Sequence, residues 1–136
     1  MNNKIPKYIA ASILGTVAMT IIMAVAPNIG LPKMVPWELL AKAMDVSLVI
    51  GWIMHFVIGI LFGLGYVFVF APKVHIQNIW LKGIVFGVLV LISTQIGMAS
   101  LNGFINIRLT AFLIPYIVFG MVTAKVIGKN KSLYVF

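Results

Sequence analysis

One histidine, His55, lies inside a long apolar run of the chain, and no other apolar run contains an imidazole. Gly51, Gly59 and Gly63 flank it at four-residue steps, so a helix would carry all four residues along one face. Within a membrane, a face of this kind lets another helix or a flat ligand approach very closely. Because an ionisable residue is expensive at that depth, His55 is by default a hypothesis of a functional site.

Three interpretations of His55 follow from its chemistry. It could hydrogen-bond a neighbouring helix and so serve packing, which is the interpretation we favour. It could instead respond to protons or bind a substrate, because an imidazole titrates close to neutral pH. As an axial haem ligand it would use the flanking glycines to admit the porphyrin. A six-coordinate haem would then need a methionine or a second protomer as its other ligand, because no other apolar run contains histidine.

Further polar side chains lie in the other apolar runs. Thr20 belongs to the first run, Thr94 and Gln95 to the third, and Tyr116 to the fourth. With His55, these residues could converge on a polar cluster in the outer half of a helical bundle. The alternative, which we favour, is ordinary hydrogen bonding between helices at about 0.6–2 kcal/mol per bond.

The composition places the chain in a membrane. Its hydrophobic fraction is 62% and its charged fraction 9%, against roughly 45–50% and ~25% in soluble domains. The net charge of +8 does not indicate nucleic-acid binding, because the basic residues lie almost entirely outside the apolar runs, where membrane anchoring places them. The length of 136 residues predicts a single transmembrane domain over residues 1–136.

The same composition argues against catalysis. The chain has no cysteine, so it has neither disulfides nor thiolate metal sites. Glu38 and Asp45 are its only acids, and both lie in one connection between apolar runs. Because neither a nucleophile–base pair nor a set of metal ligands can be assembled from these residues, we expect no enzyme activity and no metal site.

Four runs are long enough to cross a bilayer core of about 30 Å, which takes roughly 20 helical residues. They cover residues 8–26, 47–70, 79–99 and 109–127. The sequence therefore predicts an all-α integral membrane protein with a bundle of four transmembrane helices. Lys82 and Lys125 lie close enough to the ends of their spans to snorkel outward.

The distribution of Lys and Arg predicts the orientation of the spans. Four spans place seven lysines on one side and three basic residues on the other, and the more basic side is cytoplasmic. We therefore expect a bacterial inner-membrane protein with both termini in the cytoplasm. The inner set is Lys4, Lys7, Lys73, Lys82, Lys125, Lys129 and Lys131, and the outer set is Lys33, Lys42 and Arg108.

The connection between the first two spans contains a helical pattern that begins at Pro36. Its apolar residues share one face, which predicts a short amphipathic helix lying in the outer interface. That helix could be a lid or a docking surface for a partner, but we favour a connector that rests on lipid headgroups. The residues of this face are Trp37, Leu40, Ala41 and Met44.

Two further patterns concern packing. Residues 55–63 can be laid over residues 116–124, with His55 on Tyr116, so the chain could be a tandem repeat of two hairpins. Gly59 with Gly63 and Gly83 with Gly87 are also small-xxx-small pairs that favour close helix crossings. Such crossings could lie within the bundle, as we favour, or between the protomers of a homo-oligomer.

The sequence resembles a family of small four-span bacterial membrane proteins classed as a domain of unknown function. In that family the fourth span is expected to carry a second histidine, in a segment with regularly spaced glycines. This chain has Tyr116 at the corresponding position. The resemblance implies the four-span architecture but does not indicate any activity. It rests on Gly30-Leu31-Pro32-Lys33-Met34, on Gly51-Trp52-Ile53-Met54-His55-Phe56 with Gly59, and on Trp80-Leu81-Lys82-Gly83 with Phe86-Gly87.

These observations favour a non-enzymatic accessory or scaffold subunit of a larger inner-membrane complex, with the lipid bilayer and other subunits as its partners. One alternative is a small transporter or channel, alone or as a homo-oligomer, with a polar site around His55. The other is a subunit that binds haem or a quinone through His55 and transfers electrons. In the favoured interpretation no cofactor is bound.

Overall fold

The computed structural model describes residues 4–31, 35–102 and 109–128, and all regular structure in these residues is helical. Three stretches are long and apolar enough to cross a membrane, namely Ile5–Ile29, Leu48–Lys73 and Ile79–Gly97. The all-α prediction is therefore confirmed for the described residues, and these helices indicate a membrane protein. Four basic residues counted for the orientation (Lys33, Arg108, Lys129 and Lys131) lie outside the described residues, as do Pro32 and Met34.

Helix α1 spans Ile5–Val25 and continues as a 3₁₀ turn over Ala26–Ile29. The first span was predicted to end at residue 26, but helical structure continues because Pro27 fits the first positions of this turn, where no backbone N–H is needed. The turn stops at Gly30, whose φ of 84° is left-handed. The amide of Leu31 then donates to the Ala26 carbonyl at 3.0 Å, which closes the helix end.

Helix α2 spans Pro36–Ala43, and a turn through Asp45 leads to α3, Leu48–Gly65. Asp45 is left-handed at φ 53°, a conformation that aspartate tolerates better than most residues. Ser47 caps α3 by accepting a hydrogen bond from the Ile50 amide at 3.4 Å. The predicted short helix is therefore present, and its place at the membrane interface stays a prediction.

The second long helix does not end at Phe70 as its sequence suggests. After α3 the backbone widens into a π-helical segment, Tyr66–Phe70, and then forms α4, Ala71–Lys73. In the wide turn the Ala71 amide donates to the Tyr66 carbonyl. Pro72, which has no amide to donate, follows without breaking the helix. Helical structure ends at Val74, which is extended.

Helix α5 spans Ile79–Asn102 and α6 spans Leu109–Ile127, the residues of the predicted fourth span. The helices pack in the order α3, α1, α6, α5, with α2 against α3. Lys7 donates to the Ile127 carbonyl at 3.3 Å, so α1 begins where α6 ends. We call this end of the bundle the α4 end, because Lys82 near the start of α5 donates to the Ala71 carbonyl at 3.1 Å.

That contact corrects the prediction for Lys82. Its side chain does not snorkel outward but is fully buried. The reason is local: the helix that ends with α4 presents unsatisfied carbonyls, and a cation near the start of α5 can reach them. Lys125 is exposed, and its ammonium lies 5.3 Å from the centre of the Trp80 ring.

Candidate functional site

The site around His55 is built on the contact between α1 and α3. The two helices are antiparallel. The face of α3 that carries His55 and the glycines lies against a row of hydroxyl side chains on α1. A Cβ added at Gly63 would collide with Ser12, and one added at Gly59 would collide with Thr16. At the next step along α3, His55 lies beside Thr20, 2.9 Å from Nε2 to Oγ1. With Ser12 and Thr16 in place, only glycine therefore fits at positions 59 and 63.

The hydroxyls of α1 can face a neighbouring backbone because their own hydrogen bonds are made within α1. Ser12 donates to the Tyr8 carbonyl at 2.7 Å, and Thr16 donates to the Ser12 carbonyl at 2.8 Å. Thr20 donates to the Thr16 carbonyl at 2.7 Å. Each hydroxyl proton is thus donated to the carbonyl four residues earlier in α1. Ser12 and Thr16 therefore need no partner on α3 and act as small residues in the contact between the helices.

These bonds fix how His55 is engaged. A hydroxyl has one proton, and that of Thr20 goes to the Thr16 carbonyl. Thr20 Oγ1 therefore accepts from His55, which places a proton on Nε2. The side chain is buried, with 5% of its surface exposed. His55 thereby ties the middle of α3 to α1.

Aromatic rings surround the other sides of the imidazole. Trp37 of α2 and Phe56 of α3 lie edge-on to it, with ring centres 5.5 and 5.6 Å away. Trp37 also stacks on Trp52 at 4.2 Å with 15° between the ring planes. Stacked and edge-to-face rings are favourable arrangements, worth about 0.5–1.5 kcal/mol per pair beyond burial. We call Trp37, Trp52, His55 and Phe56 the aromatic box.

Gly51 explains how α2 reaches the aromatic box. A Cβ at Gly51 would collide with the Trp37 carbonyl and would lie 2.9 Å from the Ala41 Cβ. Helix α2 therefore rests directly on the α3 backbone and buries Trp37 and Ala41. The predicted apolar face of α2 is therefore only partly buried. Trp37 and Ala41 contact α3, whereas Met44 remains 47% exposed.

The second antiparallel pair, α5 and α6, has a comparable construction. A Cβ at Gly83 would lie 2.7 Å from the Met121 Cα, and one at Gly87 would collide with the Tyr116 carbonyl. The Tyr116 hydroxyl hydrogen-bonds to the Thr94 side chain, and Thr94 donates to the Val90 carbonyl at 2.8 Å. Each pair thus joins a ring on its second helix to a back-bonded threonine on its first.

The structure brings together four of the five predicted polar residues, in two separate pairs. Among the described residues, no hydrogen bond joins His55 and Thr20 to Tyr116 and Thr94. Gln95 is buried, and its Oε1 has no hydrogen-bond partner in the described part of the chain. A single cluster of all five stays a prediction.

Two participants were missed by the sequence reasoning. Ser12 stands four residues before Thr16 and eight before Thr20, and this spacing alone would have placed it on the same face of α1. Trp37 was assigned to an apolar face, but its stacking on Trp52 depends on how the α2–α3 turn folds back. Within the described residues, no group of three or more His, Cys, Asp or Glu side chains could hold a metal.

Comparison with known protein families adds one finding. A family model matches residues 2–132, nearly the whole chain. The chain belongs to that family. It is DUF6789, a family of unknown function. No curated protein and no solved structure matches the chain. The resemblance to a family of unknown function is thereby confirmed, whereas the bacterial origin and span number of DUF6789 stay predictions.

We predict that His55 and Thr20 of this DUF6789 protein are energetically coupled. His55→Phe keeps an aromatic ring in the box and Thr20→Val keeps the shape. Thr20→Val also removes the bond from Thr20 to the Thr16 carbonyl, but that loss occurs with and without His55 and cancels in a double-mutant cycle, which isolates the bond between the two side chains. A double-mutant cycle on the free energy of unfolding in detergent should give a coupling of about 0.6–1.7 kcal/mol.

Ser93 supplies the control for this cycle, because its exposed hydroxyl donates to the Leu89 carbonyl of its own helix at 2.9 Å. His55→Phe and Ser93→Ala should be additive within about 0.3–0.5 kcal/mol. Additivity of His55→Phe with Thr20→Val to the same degree would contradict the assignment.

Proposed function

We propose that this DUF6789 protein is a four-span accessory or scaffold subunit of a larger inner-membrane complex, without catalytic activity of its own. The observation that carries the proposal is the use of the polar side chains within the spans. His55 and Tyr116 are buried, and each bonds to a threonine of the neighbouring helix. Their hydrogen bonds serve the fold, which leaves helix surface as the part of the molecule available to a partner.

The surface of the bundle supports this role. In an 18-residue apolar stretch of each of the three long helices, between 33% and 39% of the residues are buried within the chain. Much of the remainder is apolar, such as Val49, Ile53 and Leu61 along α3, which are 57–68% exposed. A small bundle in which each helix buries only part of its surface presents the remaining surface to lipid or to neighbouring proteins.

The proposed topology has α6 as the fourth span. Its 19 residues cover about 28 Å at ~1.5 Å per residue, close to the ~30 Å of a hydrocarbon core. Helix α6 also packs between α1 and α5, which both qualify as spans by length and composition. With four spans, the more basic α4 end faces the cytoplasm and the α2 side faces outward.

Thiol labelling tests this topology. The chain contains no cysteine, so each introduced cysteine is the single site that can be labelled. Asp45→Cys lies in the exposed turn after α2, and Gln77→Cys in the exposed connection before α5. A membrane-impermeant maleimide applied to intact spheroplasts should label Asp45→Cys and should label Gln77→Cys only after lysis. Labelling of Gln77→Cys in intact spheroplasts would contradict the proposed orientation.

We predict that the protein purifies from its own membranes, in mild detergent, with a stoichiometric set of larger membrane subunits. An unrelated four-span protein with the same tag is the control for adventitious capture. A monodisperse homo-oligomer without partners would contradict the accessory role.

The same preparation tests the two alternatives. A Soret band that is lost in His55→Ala would favour haem binding. Solute flux in liposomes that is lost in a folded His55→Ala protein would favour transport. Either result would overturn the proposal, because the proposal assigns His55 to helix packing.

A further inference from the structure

A groove runs between α3 with its π-helical segment and α5. One wall is formed by Phe62, Gly65 and Val69, and the other by Phe86 and Leu89. The volume is about 380 Å³, within the range of about 300–1,000 Å³ that is typical of ligand sites. Val69 is 55% and Leu89 45% exposed, so the groove opens to the side of the bundle.

The groove exists because α3 and α5 do not pack along their length in the described structure, where α1 and α6 lie between them. The two walls meet near the α4 end, through ring contacts of Phe86 with Tyr66 at 5.0 Å and Phe70 at 5.2 Å. Gly65 leaves space in one wall of the groove. It has no side chain, and a Cβ added there would project into the open space without meeting any atom within 4 Å. The π-helical segment begins at the next residue, and such wide turns are frequent at functional sites.

The dimensions and charge of the groove match one half of a phospholipid. From Phe62 to Lys73 the wall covers about 16 Å at ~1.5 Å per residue, close to half of a hydrocarbon core of ~30 Å. Lys73, at the end of α4, is the one charged residue of the lining, and it is exposed. The rest of the lining is apolar or glycine. The groove thus combines an apolar channel one leaflet deep with a cation at its mouth.

We propose that this groove holds an acyl chain of an anionic phospholipid from the leaflet at the α4 end, with the lipid phosphate paired to Lys73. Basic pockets between transmembrane helices recognise anionic headgroups in this way. The inference rests on the membrane-spanning arrangement proposed above but not on any partner subunit. Its occupant is a single retained lipid, in contrast to the exchanging lipids around the remaining surface.

Lipid retention measures this directly. The full chain is reconstituted in nanodiscs of phosphatidylglycerol and phosphatidylcholine in equal amounts, extracted in mild detergent, and analysed by native mass spectrometry. The unmodified protein should retain one phosphatidylglycerol in preference to phosphatidylcholine. Lys73→Gln should lower that preference about fivefold, the ratio expected from about 1 kcal/mol per basic residue near a membrane surface.

Two further variants fill the groove from opposite walls. Gly65→Leu and Leu89→Trp should each reduce retention of both lipids, because the added side chain occupies the acyl-chain channel. Leu89→Trp keeps the test decisive if Gly65→Leu does not fold. Matched controls are Gly97→Leu, another site with nothing within 4 Å of an added Cβ, and Lys42→Gln, an exposed lysine of α2. Both controls should behave like the unmodified protein.

Three results would overturn the inference. Equal retention in all folded variants would show exchanging lipid only. Competition by inorganic phosphate, with no effect of the groove-filling variants, would show an ion at Lys73 and no lipid. Loss of a co-purified subunit in Gly65→Leu and Leu89→Trp, with lipid retention unchanged, would make the groove a protein contact and leave the accessory role intact.

Discussion

The rest of the fold depends on how closely the backbones of α1 and α3 approach each other. In lipid, two apolar helices gain little from burying hydrocarbon against each other, so their association relies on van der Waals contact at short range. Gly59 and Gly63 permit that contact, and the hydroxyls of Ser12 and Thr16 occupy the space that side chains would otherwise take. Because those hydroxyls are satisfied within α1, the contact leaves no unpaired donor. With Ser12 and Thr16 in place, a side chain at either glycine would push α1 and α3 apart at that point.

Everything at the α2 side of the bundle follows from that approach. With α1 in contact with α3, Thr20 comes within hydrogen-bonding distance of His55, and the imidazole is held against α1. Trp37 then closes over the ring, and α2 rests on Gly51. The opposite end of the bundle, the α4 end, is built differently. There α3 widens into the π-helical segment, and the buried ammonium of Lys82 binds a carbonyl released by the helix end.

Much of this arrangement could be predicted from residue spacing. The glycine stripe with His55, the apolar runs and the helix after Pro36 all follow from local periodicity, which does not depend on neighbouring helices. The burial of Lys82 could not be predicted, because its acceptor, the Ala71 carbonyl, becomes available only through the way the helix ends with α4. Pairing of His55 with Thr20, and of Tyr116 with Thr94, also required the structure. Depth along a helix can be counted in a sequence, but rotation about the helix axis is set by packing.

The contact between α1 and α3 is tested most directly by a disulfide between Thr16→Cys and Gly59→Cys in the otherwise cysteine-free chain. An added Cβ at position 59 would lie 3.1 Å from that of Thr16, slightly below the about 3.5–4.5 Å range of disulfides. Thr16→Cys removes the hydroxyl with which that Cβ collides, so a shift of a few tenths of an ångström between the helices accommodates the bond. Mild oxidation in native membranes should therefore protect both thiols from maleimide labelling until reductant is added. The pair Thr16→Cys with Gly97→Cys should remain reactive. Full labelling of the first pair after oxidation, or equal protection of both pairs, would contradict the account.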